Sequence, residues 1–205
     1  ARRTGLGRFI AALTPSAFES AALWRVHLVQ RWLSAVRFAL ANQGLLRHVL
    51  TSQRNRPKVS DRRQRKVLHW FFRAMGSYRL ASRLAGNGEV IVIDEGFVHR
   101  TVQLFTSSVE RPVSEEVAAY LRLLPQPDLL VFVEAPVEMC IERVISRGVW
   151  DRVSHRSSDE IANFVGNAHA ALSEAHAILT DRGWPMIVIH NDESDLAAVR
   201  QSAEK

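Results

Sequence analysis

The sequence predicts an α/β fold: a three-layer parallel sheet with helices on both faces, preceded by a helical N-terminal subregion. Three continuous apolar segments have the character of strands, namely EVIVID at 89–94, DLLVFVEAP at 128–136 and PMIVIH at 185–190. Continuous rather than alternating apolar residues are typical of strands that helices cover on both sides. Between these segments, apolar residues recur at helical spacing. This alternation of strand and helix predicts a parallel sheet.

The helices are predicted from apolar periodicity and from the residues at their ends. Thr14 can cap a long first helix, which has Pro15 in its first turn and ends at Gly44. A polar loop precedes a helix at 61–85, which has Asp61 at its positive end and Gly86 after its last turn. Further helices are predicted at 45–53, 97–107, 113–124, 137–148, 158–182 and 193–204.

Length and composition indicate one globular domain. The chain has 205 residues, of which 47% are hydrophobic. We expect a single domain over 1–205, made of a basic helical part at 1–85 and a βα core at 86–205 with a lid loop at 148–157.

No apolar run approaches the ~18–20 residues of a membrane span. A single cysteine, Cys140, excludes an internal disulfide framework and favours a reducing cytoplasm.

Charge is divided sharply between the two parts of the chain. Residues 1–83 contain 17 Lys and Arg against two acids, whereas residues 84–205 contain 10 basic and 19 acidic residues. Arginine predominates, and its planar group suits phosphate or carboxylate recognition. Three interpretations of the basic part compete: solvated helix faces, a phosphate-rich small ligand, and nucleic acid or a membrane surface. The last of these is the least favoured.

Polar side chains stand at the ends of the three predicted strands. Asp94 and Glu95 follow the first strand, Glu134 ends the second, and His190 with Asn191 ends the third. In parallel sheets ligands gather at the carboxyl ends of the strands. Adjacent carboxylates raise one another's pKa and add nothing to stability, so a pair in this position is typical of metal binding or proton transfer.

One long stretch carries a family resemblance. PDLLVFVEAPVEMCIERVISRGVWDR, residues 127–152, resembles the thymidylate kinase-like branch of the P-loop nucleoside and nucleotide kinases. In that family a strand with a polar end, a proline, a helix carrying ER…RG and then DR lead into the lid. IVIDEG at 91–96 stands where the family has an Asp-Arg strand end, and GWPMIVIHND at 183–192 is similar to its last strand. The resemblance covers about 86–205. It implies transfer of the ATP γ-phosphoryl group to a small acceptor with Mg²⁺.

The phosphate cradle of that family is missing from this sequence. The pattern G-x-x-x-x-G-K-[ST] supplies backbone N–H groups, a lysine and a hydroxyl to the triphosphate and its Mg²⁺. None of the three lysines, Lys58, Lys66 and Lys205, follows a glycine. We therefore expect a chain that lacks the first strand and the loop after it, either as a fragment or as an inactive relative. The sequence predicts no measurable kinase activity for the chain as it stands.

The resemblance implies roles for seven residues. Asp94 would hold Mg²⁺, and Glu95, which replaces the family's arginine, would accept a proton from an acceptor hydroxyl. The alternatives are a helix cap for Asp94 and a solvated acid or ion-pair partner for Glu95. Arg147 and Arg152 would act as catalytic groups that neutralise charge on the transferred phosphate. Three further arginines would bind the substrate: Arg100, Arg143 and Arg156. Surface ion pairing is their alternative role.

Other features of the sequence favour structural roles. Spacing disfavours a helical zinc site at His169 and His176, and Cys140 is expected to pack as a thiol. Five aromatic residues in the basic part are expected in the core rather than in a base-stacking surface: Trp24, Trp32, Trp70, Phe71 and Phe72.

An ATP-dependent phosphotransferase acting on a small acceptor, with ATP and Mg²⁺ as cofactors, is the favoured function. Two alternatives stay open: a non-catalytic protein that binds nucleic acid or an acidic partner through its basic part, and a sulfotransferase. The expected partner is a small-molecule acceptor, with nucleic acid disfavoured, and a homodimer is compatible with the pattern.

Overall fold

A computed structural model describes residues 16–56, 61–86, 88–106, 113–147 and 157–191. In the first helix the side chains are described from residue 24 onward, and in the third helix from residue 62 onward. The chain divides into two compact units, Ala1–Phe97 and Val98–Lys205. The first is a helical unit and the second contains helices and a small sheet. The sequence placed the boundary between a helical part and a βα core at 85/86.

The helical unit consists of α1 (Ser16–Ala41), α2 (Gln43–Arg54) and α3 (Asp61–Leu84). α1 packs along α3, and each helix contributes small and aromatic side chains to the core of the unit. The buried apolar residues are Ala35, Phe38, Ala39, Leu45, Val49, Phe71, Met75 and Leu80. The ring of Phe97 closes this core, with its centroid 5.3 Å from that of Phe38 and 5.4 Å from that of Tyr78.

The second unit contains α4 (Arg100–Phe105), α5 (Ser114–Arg122), β1 (Leu130–Glu134), α6 (Val137–Ser146), α7 (Ser158–Asp181) and β2 (Met186–His190). Its core includes Leu104, Phe105, Val117, Tyr120, Leu121 and Leu179. α7 begins with a capping box, in which the Ser157 hydroxyl accepts from the Glu160 backbone N–H and the Glu160 carboxylate accepts from the Ser157 backbone N–H. α5, α6 and α4 all pack against α7, which is therefore the central helix of this unit.

The two strands form a parallel pair, with Leu130 opposite Met186 and Glu134 opposite His190. They pair directly with each other in a two-stranded sheet. Among the described residues the fold is mostly helical, and the predicted three-layer parallel sheet is wrong.

The first predicted strand accounts for much of that error. Residues 89–93 form no strand, and the side chains of Val90 and Val92 are each 88% exposed. Their β-branched, apolar composition suits a strand, but a strand needs a neighbouring backbone to satisfy its N–H and C=O groups. No described segment pairs with this one, so composition alone does not make it part of a sheet.

The described helices do not cover both faces of the sheet either. Val131 and Val133 of β1 and Ile187 of β2 point to the same side of the pair and are between 50% and 59% exposed, as is the preceding Leu129. We call these four residues the open sheet face. On the opposite side, Phe132 is buried and stacks on the ring of His176 in α7.

Most predicted helices are present with ends shifted by a few residues. The predictions at 45–53, 61–85, 113–124 and 158–182 correspond to α2, α3, α5 and α7, whereas the predicted helix at 97–107 is shortened to α4. Thr14, Pro15, the helix at 193–204 and most of the predicted lid loop lie outside the described residues. In the described part of the chain, no helix combines the length and the apolar character needed to cross a bilayer.

Candidate functional site

The carboxyl ends of β1 and β2 bring together a carboxylate and two imidazoles. Glu134 is the last residue of β1, and one of its oxygens lies 2.8 Å from Nδ1 of His176 in α7. The other oxygen lies 3.7 Å from Nδ1 of His190 at the end of β2. His176 is held in place from one side, because its ring stacks on Phe132 with 4.9 Å between centroids. The side chain of Glu134 is about one-third exposed, so the cluster is open to solvent.

A guanidinium group lies at the same end of the sheet. Arg143 of α6 donates to the side-chain oxygen of Asn191 at 3.2 Å and to its carbonyl oxygen at 3.4 Å. The Asn191 backbone N–H in turn donates to the carbonyl oxygen of Glu134 at 2.7 Å. Arg143 therefore has its position set by the residue that follows β2. A half-buried, fixed cation beside a carboxylate and two imidazoles can bind an anion or take part in proton transfer.

This cluster does not form a metal site in the described part of the chain, where no group of three or more His, Cys, Asp or Glu residues has the arrangement to hold a metal ion. His169 lies in the same helix as His176, but its Nε2 is 3.2 Å from the carbonyl oxygen of Ala135. Cys140 lies 3.9 Å from that same oxygen and is half-buried.

The predicted carboxylate pair lies in the helical unit instead. Asp94 and Glu95 are exposed in a turn, where the Asp94 carboxylate accepts a hydrogen bond from the Glu95 backbone N–H at 2.9 Å. Glu95 adopts a φ of 49°, a conformation that a non-glycine residue rarely takes. Glu134, by contrast, belongs to the second unit. The roles of Asp94 in Mg²⁺ binding and of Glu95 as a base stay predictions.

The predicted arginines have different surroundings. Arg143 is at the strand ends, as described above, and Arg147 is exposed just after the last turn of α6. Arg100 begins α4 and donates to the side chain of Gln103 at 2.8 Å. Arg152 and Arg156 lie outside the described residues.

The helical unit has a second candidate site, a row of aromatic and cationic side chains that crosses from α1 to α3. The centroid of the Trp32 ring lies 5.8 Å from the centroid of the His69 ring, which lies 6.0 Å from the centroid of the Trp70 ring. The guanidinium carbon of Arg73 lies 4.8 Å from the Trp70 ring centroid, a cation–π contact. We call Trp32, His69, Trp70 and Arg73 the stacking row.

The surroundings of the stacking row are strongly positive. Burial lowers the pKa of Arg31, and the Arg73 guanidinium lowers it further. Burial also lowers the pKa of His27, and the charges of Arg31 and Arg73 act in the same direction. Between Glu19 and Glu89 the sequence contains fourteen Lys and Arg and a single acid, Asp61. The row is therefore a place where an anionic ligand would relieve repulsion between cations.

The prediction that the aromatic residues of the basic part are all core is wrong for two of them. Trp24 is 63% exposed and Trp32 is 40% exposed, whereas Phe71 is buried as expected. Spacing could not separate these cases, because α1 is apolar on the face that packs against α3 and on the face that points to solvent. The scarcity of acids in this part was the available signal that its surface is unusual.

Comparisons with known proteins identify no relative. No family model matches the chain, and neither a curated protein nor a solved structure matches it. Any function therefore has to be argued from the two candidate sites.

Proposed function

We propose that this protein binds single-stranded nucleic acid through its helical unit. The observation that carries the proposal is the stacking row, in which three neighbouring rings end at the Arg73 guanidinium in a region almost without acids. Proteins that bind single strands combine a positively charged surface, which follows the phosphates, with aromatic side chains on which the bases stack.

The aromatic part of the row favours a single strand over a duplex. Trp32 and His69 are exposed and tilted against each other, so their rings are available to unstacked bases. In a duplex the base faces are covered by their neighbours and cannot use such rings. Base–aromatic stacking contributes about 1–3 kcal/mol per base and depends little on sequence.

The charge distribution supplies the phosphate contacts. Exposed arginines occur on all three helices of the unit, among them Arg25 and Arg37 on α1, Arg54 on α2 and Arg65 on α3. An anionic lipid surface would also attract these arginines, so anionic vesicles are the competing ligand in the test of the proposal. The distribution of the arginines around the unit suits a flexible strand that can bend to follow them.

The test is fluorescence anisotropy with labelled oligonucleotides of about 20 residues, matched in length and composition, as single-stranded RNA, single-stranded DNA and duplex. We expect both single strands to bind more tightly than the duplex. The logarithm of the binding constant should fall linearly with the logarithm of salt concentration, by roughly 0.7 for each phosphate contacted. A preference between RNA and DNA identifies the natural ligand, because only RNA offers 2′-hydroxyls.

Paired variants separate stacking from charge. Trp32→Ala should weaken binding by about 5- to 150-fold, whereas Trp32→Phe should retain most of it, because Phe keeps a ring on which a base can stack. Arg73→Gln should lower the slope of the logarithm of the binding constant against the logarithm of salt concentration by roughly 0.7, the value for one phosphate contact. The matched control is Arg122→Gln, which changes an exposed arginine of the second unit. Binding to anionic vesicles without binding to oligonucleotides, or equal affinity of Trp32→Ala and the wild type, would contradict the proposal.

A phosphotransferase is the second candidate, favoured by the cluster at the strand ends. Glu134, His176 and His190 lie at the carboxyl end of a parallel strand pair, and Arg143 is fixed beside them by Asn191. This is where α/β proteins bind nucleotides. ATP and Mg²⁺ are the cofactors that the sequence resemblance implies.

Nucleotide binding can be tested without catalysis. If this candidate is correct, Mg²⁺–ATP should raise the melting temperature of the chain, and the increase should be smaller for Arg143→Gln. We expect no phosphoryl transfer, because the chain contains no glycine-lysine phosphate cradle. An unchanged melting temperature at millimolar Mg²⁺–ATP would argue against this second candidate and would leave the nucleic-acid proposal untouched.

A further inference from the structure

We propose that His176, held by Glu134, is a nucleophile that accepts a phosphoryl group from a small acyl phosphate. The inference goes beyond nucleic-acid binding and does not rest on it, because it concerns the second unit alone. Three observations carry it: the contact between His176 and Glu134, the stacking of the His176 ring on Phe132, and the partial exposure of the imidazole.

The contact with Glu134 decides which ring nitrogen of His176 carries a proton. Nδ1 lies 2.8 Å from a Glu134 oxygen, and an ionised carboxylate can only accept hydrogen bonds, so Nδ1–H is the donor. In the neutral imidazole the other nitrogen, Nε2, is then unprotonated. In the described part of the chain, no residue forms a hydrogen bond with Nε2 of His176. The lone pair of Nε2 is therefore available to attack an electrophile.

Stacking fixes the plane of this ring. The ring centroids of His176 and Phe132 are 4.9 Å apart, with 22° between the two planes, and Phe132 itself is buried in β1. The imidazole is thus held at one edge by a carboxylate and on one face by a phenyl ring. Its side chain is still 27% exposed, so a small molecule can reach it. A nucleophile that is already oriented loses less entropy on the way to the transition state.

The two other described imidazoles near these strand ends each lack one of these features. His169 is also on α7, but its Nε2 lies 3.2 Å from the Ala135 carbonyl oxygen and is engaged there. His190 is 69% exposed, and its Nδ1 lies 3.7 Å from Glu134, which is too far for a hydrogen bond. A held Nδ1 together with an unbound Nε2 therefore distinguishes His176 from both.

The proposed step needs no separate base. Nε2 attacks the phosphorus atom of the acyl phosphate, an N–P bond forms, and the P–O bond to the acyl group breaks, so that a carboxylate leaves with the bonding electrons. The ring keeps its Nδ1 proton and becomes positively charged, and the Glu134 carboxylate stabilises that charge. Arg143, which Asn191 holds at the same strand ends, can attract the anionic donor.

An acyl phosphate suits this site better than a nucleoside triphosphate. It carries a single phosphoryl group on a good leaving group, so one cation and one fixed nucleophile are enough. A triphosphate is normally held by a backbone cradle with a lysine, and this sequence has no such glycine-lysine pattern.

The test incubates the full chain with acetyl phosphate and locates the label by mass spectrometry. We expect a phosphoryl group on His176 that is stable in base, is lost in mild acid, and has the phosphorus NMR signal of the Nε2 isomer. His176→Gln should lose the label, whereas His169→Gln, a matched change on the same helix, should keep it. An unlabelled His176 in the wild type, or a phosphoryl group on its Nδ1, would overturn the proposal without reference to any variant.

Glu134→Gln tests the positioning role of the carboxylate. Labelling should slow, by up to about 10⁴-fold, because an amide neither fixes the Nδ1 proton nor balances the charge of the imidazolium. Nitrogen NMR should show the His176 proton on Nδ1 in the wild type and a shift towards Nε2 in the variant. Equal labelling rates, or a wild-type proton on Nε2, would also overturn the proposal. Oligonucleotide affinity should be the same in these variants, so either proposal can fail without the other.

Discussion

Gly76 in α3 lies so close to the main chain of Arg31 in α1 that a methyl group at position 76 would overlap the Arg31 carbonyl oxygen and lie 2.9 Å from its Cγ. The two longest helices of the helical unit are therefore in backbone contact at this point. The same contact sets the position of Arg31 beside Arg73, and so helps to form the positive surroundings of the stacking row.

Gly76→Ala should destabilise the protein although alanine is the better helix former. Helix propensity favours alanine by about 1 kcal/mol, but the overlap is with backbone and cannot be relieved by a side-chain rotation. Overpacking of this kind costs about 1–3 kcal/mol. Urea denaturation followed by circular dichroism measures the free energy of unfolding.

A second glycine provides the control for this change. Gly166 lies in α7, and a methyl group there would meet nothing within 4 Å. Gly166→Ala should therefore stabilise the protein by up to about 1 kcal/mol. If Gly76→Ala proved as stable as Gly166→Ala, α1 and α3 would not be in contact as described.

The affinity for nucleic acid should increase as the pH falls below neutrality. Burial and the charges of Arg31 and Arg73 hold the pKa of His27 below its ordinary value of 6.5, so His27 is neutral in the free protein at pH 7. Bound phosphate would offset those charges and raise the pKa, so that binding takes up a proton. By linkage, lower pH then favours the complex. Anisotropy titrations between about pH 5.5 and 7.5 measure the effect.

His27→Gln should reduce this pH dependence, because glutamine does not titrate. His99→Gln, at an exposed position of the second unit, should leave it unchanged. A pH profile that is the same for the wild type and His27→Gln would show that another group is responsible.

Tyr120 should ionise only when the protein unfolds. The side chain is completely buried, and burial raises its pKa well above the ordinary value of 10.0, against a smaller opposite effect of Arg100. A group with a raised folded-state pKa contributes stability below the unfolded-state pKa and loses it as the pH rises above that value. The protein should therefore lose stability progressively above about pH 10.

The measurement uses Tyr78→Phe, which leaves Tyr120 as the single tyrosine of the chain. Phenolate absorbance and circular dichroism should then change together as the pH rises. Reversible ionisation near pH 10.0 with an unchanged circular dichroism spectrum would rule out the buried position of Tyr120.

Ser157→Ala should weaken the start of α7. The hydroxyl accepts from the Glu160 backbone N–H at 3.2 Å, and loss of such a cap costs about 0.5–2 kcal/mol. Ser157→Asp preserves the acceptor and should cost little. Thermal unfolding distinguishes the two, and equal melting temperatures for Ser157→Ala and the wild type would show that the capping box does not contribute.

Part of the candidate site followed from the sequence. The sequence placed Glu134 and His190 at the carboxyl ends of two predicted parallel strands, and they are opposite each other in the register. It placed Asp94 and Glu95 at a third strand end, but that strand is not formed. His176 could not be predicted in the same way. It is far from Glu134 along the chain and reaches it only because α7 packs against β1, with Phe132 stacked on the His176 ring.

The positions of most helices could be read from the chain alone, because apolar spacing and end residues act within one helix and need no distant partner. The sequence alone could not show which segments join a sheet, because residues 89–93 have the composition of a strand but no described backbone pairs with them. Side-chain exposure also depended on tertiary packing. Phe38 and Leu40 stand two positions apart on α1, yet α3 and Phe97 bury the first, whereas the second faces water because no described element packs against it.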